Sequence, residues 1–144
     1  MITLRVDAGR VVAELRKKQA DNLARAVAYY HSKLMETLNT PNTGQRVTSR
    51  TRRTPSGRRA SSTIYPNPSK PGEAPRKRTG WLQRNVVYSL DRQALSGTVG
   101  CTVNAKYGLY LELGTRTMAS RPWLLATLKR YTPQLQNLLR GGTA

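Results

Sequence analysis

Apolar residues recur at helical spacing along the first quarter of the chain. Val12, Leu15, Leu23, Val27, Tyr30, Leu34 and Leu38 fall on one stripe and predict an amphipathic helix over residues 10–38. Asn39-Thr40-Pro41 supplies its stop signal. Ahead of it, Ile2, Leu4 and Val6 alternate with Thr3 and Arg5, the period of a short strand, and Asp7 stands where a helix N-cap belongs. Glu14 with Lys18, and Asp21 with Arg25, are i,i+4 pairs in the favourable orientation. After Gly80 the period changes. Val86, Tyr88 and Leu90 alternate, as do Val99, Cys101 and Val103, which predicts an antiparallel hairpin with 91–97 as its loop. Asn104 is then placed to cap a short helix over 105–113, closed by Gly114, although Leu109, Leu111 and Leu113 also alternate as a strand would. Pro122 suits the first turn of a last helix carrying Leu124, Leu125 and Leu128. Pro133 should kink that helix or restart it behind Thr132.

Between the two patterned regions the pattern disappears. Residues 44–80 are rich in Ser, Thr, Pro and Gly and nearly lack large apolar groups. They hold Arg46, Arg50, Arg52, Arg53, Arg58, Arg59, Lys70, Arg76, Lys77 and Arg78 against Glu73 alone, a net +9. Such a stretch buries too little surface to offset its ordering entropy, so it reads as an extended basic arm that orders on a partner. Thr63-Ile64-Tyr65 could add a brief strand to an edge. The expected fold is α+β: a long N-terminal helix and a C-terminal helix packed on a small antiparallel sheet, in one domain spanning 1–144, with the arm at 44–80 inserted.

Composition narrows the function. With 144 residues, 38% hydrophobic and no Phe, the core must be modest. Twenty-five Lys+Arg against seven Asp+Glu give a net charge of +18, half of it in the arm, which calls for an anionic partner. No membrane span, secretory leader or internal disulfide is expected, since Cys101 is the single cysteine. A cytoplasmic origin fits. Catalytic signatures are missing: His31 is the one histidine, and no phosphate loop, dinucleotide loop, nucleophile elbow or zinc spacing occurs. The chain therefore reads as a non-enzyme with no catalytic residue, metal or cofactor. RRM-like and zinc-finger patterns are absent as well, and Tyr65 is the only aromatic within the arm, so base stacking there is thin. A basic arm can still hold phosphates without reading sequence.

Three stretches in order carry a resemblance: KPGEAPRKRTGWLQRNV at 70–86, AKYGLYLELGT at 105–115 and MASRPWLLATL at 118–128. Their order and spacing resemble the neck family of long-tailed phages, often labelled putative tail component or tail-completion protein. That family shows a PGE-x-P…TG-x-L segment, then Y-x-x-x-x-E-x-GT, then M-x-ARPF-L. Pro71-Gly72-Glu73 and Thr79-Gly80-Trp81-Leu82 match the first, and Tyr107, Glu112, Gly114 and Thr115 the second. Met118, Arg121, Pro122, Trp123 and Leu124 match the third. Gly108 in place of a small Ala, Ser120 for Ala and Trp123 for Phe are departures. The resemblance implies a structural virion protein, one subunit of a six- or twelve-fold ring that joins the head connector to the tail around the DNA channel. Its partners would be further copies of itself, the adjacent head-closure or connector protein and the tail-terminator or tail-tube protein, with non-specific contact to phage genomic DNA. It would assemble in the host cytoplasm and reside in the virion neck. Tyr107, Glu112, Thr115, Arg121 and Trp123 would then lie at the subunit interface, with Arg121 the candidate partner of Glu112. The alternative is a stand-alone basic nucleic-acid-binding protein.

Overall fold

A computed structural model describes residues 8–41, 47–48, 52–53, 55–56, 59–60, 63–64 and 69–143. The proposed strand at 2–6 and the cap at Asp7 lie outside these residues. The first element is helix α1, Ala8–Leu38. Four two-residue strands follow: β1 (Val47–Thr48), β2 (Arg52–Arg53), β3 (Arg59–Ala60) and β4 (Thr63–Ile64). A one-turn helix α2, Trp81–Arg84, leads into the hairpin of β5 (Val86–Asp91) and β6 (Ser96–Cys101). Helix α3, Tyr107–Leu113, and helix α4, Leu124–Leu139, complete the chain. The architecture is α+β, with both long helices and a two-stranded antiparallel sheet.

The core lies where α1 meets everything after Gly80. Tyr30, Leu34 and Leu38 supply three successive turns of its buried face, against Leu82, Val86, Ala105 and Trp123. Leu34 is wholly buried and Trp123 only 2% exposed. Helix α4 runs antiparallel to α1: Asn22 Nδ2 donates to Leu139 O at 3.2 Å, and Tyr30 Oη donates to Leu124 O at 2.8 Å. Tyr29 and Tyr131 meet edge to face at 6.1 Å between centroids. The Lys33 ammonium sits 5.6 Å from both rings. It also bonds to Glu36, and that bond is the main reason its pKa is raised.

Several expectations need correction. The helical stripe is not buried throughout: every residue from 8 to 19 is exposed, and Val12 and Leu15 retain 50% and 54% of their surface. The charge pairs differ too. Glu14 meets Arg10 at 3.4 Å, and Asp21 reaches Arg92 at 3.0 Å in the hairpin turn. Arg25 instead donates to the carbonyl of Gly142. The strand expected to run to Val103 ends at Cys101, where Val103–Ala105 turns as a 3-10 helix that leaves Val103 77% exposed. The hairpin connection is four residues, shorter than 91–97, because Asp91 Oδ1 accepts from the backbone N–H of Gln93 and Ala94 at 2.9 Å each.

At α3 the helix reading wins over the strand, but it starts at Tyr107 with no side-chain cap from Asn104. Pro122 sits before α4 and not within its first turn. Pro133 neither ends nor restarts that helix. The hydroxyl of Thr132 donates back to Leu128 O at 2.8 Å, so it caps nothing. In the basic segment, Thr63–Ile64 does form a brief strand, paired with Val47–Thr48. Arg52–Arg53 pairs with Arg59–Ala60 in a second antiparallel ladder nested inside the first.

Candidate functional site

The stretches 105–115 and 118–128 meet at one carboxylate. Glu112, in the last turn of α3, faces the start of α4, where Trp123 provides no side-chain cap of its own. Its Oε2 accepts from the backbone N–H of Trp123 at 2.7 Å and Leu124 at 2.9 Å, and Oε1 accepts from Leu125 N–H at 2.9 Å. Three of the four donors that a helix leaves unpaired at its N-terminus thus meet a negative charge, which the helix dipole also favours. Burial, followed by the nearby Glu112 charge, pushes the Tyr30 hydroxyl up to about 12.

Trp123 and Gly108 complete the joint. The indole Nε1 donates to Gly108 O at 3.0 Å inside the core. Gly108 packs tightly here: a Cβ would lie 2.8 Å from Leu82 Cδ1 and 3.2 Å from Cys101 Sγ, with Trp123 Cζ2 next at 3.4 Å. Gly114 turns the chain at a positive φ of 79°, and Thr115 and Met118 close a tight turn through paired backbone bonds. Arg121 N–H then donates to Leu111 O at 2.6 Å, while its Nε donates to Ser69 O at 3.1 Å. Gly72 N–H donates to Ser120 O at 2.9 Å. The first stretch is thereby tied to the third, and the second is clamped between them.

Glu112 and Trp123 face inward, because their hydrogen-bonding groups are engaged by α4 and α3. No Glu112–Arg121 ion pair forms among the described residues; Arg121 is held by carbonyls instead. Thr115 shapes its own turn, its Oγ1 accepting from Met118 N–H at 3.1 Å. Tyr107 is 41% exposed, and partial burial raises its pKa despite a bond to the Leu82 backbone that lowers it. Within the basic arm, Lys70, Arg76, Lys77 and Arg78 lie in the described segment beside the core, and Arg52, Arg53 and Arg59 lie on the paired strands. Arg46, Arg50 and Arg58 lie outside the described residues.

The surface that sequence reasoning missed is the outer side of α3. Gly108, Leu111 and Glu112 turn inward, while Leu109, Tyr110 and Leu113 are 56%, 54% and 69% exposed, and Val103, in the turn before α3, is exposed as well. A helix that is apolar on both sides is normally covered on both. The signal was present in GLYLEL, which offers no polar stripe for water. A second feature is a groove of about 590 Å³ between residues 75–83 and the α3–α4 connection.

No protein-family model, curated protein or solved structure matches the chain. Its function is therefore argued from its own residues. His31 packs on the Tyr88 ring at 5.1 Å and Cys101 lies 3.5 Å from Ala105 O, both as parts of the packing. No group of three potential metal ligands occurs among the described residues. No described helix is long and apolar enough to cross a membrane.

Proposed function

We propose that this chain is a structural subunit of a tailed-phage neck, assembling as a homo-oligomeric ring that joins the head connector to the tail. The observation that carries this reading is the bare apolar face of α3, Leu109, Tyr110 and Leu113. In a protein of charge +18, which like-charge repulsion would otherwise keep apart, an apolar helix face serves contact with another folded surface. Further support comes from the three resemblance stretches, whose residues meet in one hydrogen-bonded joint directly behind that face. The joint fixes the face; the face makes the contact. The basic arm then serves the acidic surroundings of the assembly, DNA included.

Replacing Leu109 and Leu113 with Glu tests this. Both are exposed, so the double variant should keep its melting temperature within a few degrees, the effect of ~0.5 kcal/mol or less. Supplied to a phage or prophage genome deleted for this gene, it should leave filled heads and separate tails in micrographs, whereas the native chain restores joined particles. Joined particles with the variant, or with no copy of the gene, would overturn the reading. A free nucleic-acid binder, the rival suggested by the charge, would instead copurify with cellular RNA or DNA and be missing from virions.

A further inference from the structure

The groove beside α2 combines an apolar floor with a basic rim. Leu38, Pro75, Leu82, Leu111 and Met118 line the floor, and Lys77, Arg78, Arg121 and Arg76, the last paired with Glu73 at 3.8 Å, stand around it. Its outer wall is a tethered strap. Lys77 N–H donates to Thr40 O at 2.9 Å, and Gly72 N–H to Ser120 O at 2.9 Å, which ties the strap to the end of α1 and to the turn before α4. Two of the rim cations are positioned by neutral acceptors. Lys77 Nζ donates to Asn39 Oδ1 at 2.8 Å, and Arg121 Nε to Ser69 O at 3.1 Å. These bonds aim the charges without neutralising them.

We propose that this groove is a docking site for an acidic peptide segment of another protein, one that inserts an aliphatic or aromatic side chain between Leu82 and Met118 and sets its carboxylates against Lys77, Arg78 and Arg121. Charge selects the occupant. The chain's own arm is excluded, because residues 44–68 hold six arginines and no acid. A second copy is a poor match as well: the seven acids of this sequence never lie closer than seven positions apart, so it contains no acidic segment. Nucleic acid is disfavoured by the floor. The apolar lining is mainly aliphatic; of its two aromatic rings, Trp81 has the Arg84 guanidinium 6.0 Å from its centroid and its Nε1 bonded to Asn104 O, and Tyr107 is half-buried with a bond to the Leu82 backbone. Stacking on bases needs open aromatic faces; burying one apolar anchor between cations needs what this groove has. The inference rests on the groove and does not require the ring.

The test uses the full chain with methyl-labelled methionine and a fluorescent dodecapeptide pool, Asp or Glu at eight positions around four central positions drawn from Leu, Met, Phe and Trp. The expected result is micromolar binding that moves the Met118 methyl resonance. Binding should weaken at least tenfold when the four central positions become Ser. It should weaken as much in Lys77→Glu/Arg78→Glu, two exposed positions whose melting curve reports that the fold persists. Four results would each overturn the proposal: no binding, equal binding of the Ser-substituted pool, binding with Met118 unmoved, or a twelve-nucleotide oligothymidine that moves the Met118 methyl with equal or greater affinity.

Discussion

A single carboxylate, Glu112, organises the second half of the chain. Glu112→Ala strands three backbone donors at the start of α4, so thermal melting should show a loss of about 2–3 kcal/mol. That is a large part of the ~5–15 kcal/mol typical of a domain. Tyr30 adds a pH signature. Its folded pKa of about 12 lies above the ordinary 10.0, so folding favours the protonated phenol. The associated stability is intact below pH 10 and drains away between about 10 and 12, by roughly 3 kcal/mol. Tyr30→Phe should lose about 1 kcal/mol at neutral pH, with its bond to Leu124 O, yet show a shallower alkaline decline. Denaturant titrations at pH 8 and 11 read both effects. Gly108 and Trp123 also touch one another, through the indole bond to Gly108 O and a Cζ2 that would lie 3.4 Å from a Cβ at Gly108. Gly108→Ala alone should cost about 1–3 kcal/mol through overpacking. Combined with Trp123→Phe it should cost less than the sum of the single changes, as a double-mutant cycle would register. Strict additivity would mean that the two sites adapt independently.

The elements themselves were largely legible. The helical stripe of α1 from Ala20 onward, the antiparallel pairing of Val86–Asp91 with Ser96–Cys101, and the stop at Gly114 all appear in the structure, although Tyr88 is as exposed as Val87 and burial does not follow the hairpin's alternation. What could not be read depends on contacts distant in sequence. Helix α2 is a single turn, too short for any period, and exists because Gly80 at φ 72° aims Leu82 into the core. Glu112 looked like a surface acid with an Arg neighbour; only the approach of α4 makes it a cap. The groove joins residues from four separate parts of the chain, and no local pattern could assemble it. Pro133 illustrates the limit from the other side, since its breaking tendency is overruled by α1 packed along α4. The tendency should still carry a cost. At this exposed position Pro133→Ala restores a donor to the helix ladder, and a stabilisation of about 1–3 kcal/mol is expected in thermal melts. An unchanged melting temperature would show that the ring is accommodated without penalty.

At the scale of the whole molecule, charge sets the bounds. A domain of this length spans roughly 40 Å, over which duplex DNA carries about 24 phosphate charges. Six copies of a +9 segment would bring roughly 54 positive charges to that length of duplex, more than twice what it can neutralise. In the proposed ring, many of the arm's arginines would therefore face acidic neighbouring proteins or solvent rather than DNA. Helix α1 divides on the same scale. From Ala20 onward it is packed into the body, while residues 8–19 are exposed on all sides. A free helix of twelve residues is marginal in water, but this one extends from a turn already nucleated by the core, so each added residue needs only propagation. Its outer turns can therefore melt and re-form one residue at a time without the domain opening. Amide hydrogen exchange should show this as a gradient, fast near Ala8 and slowing toward Asp21, with protection near the global limit from Ala26 to Leu38.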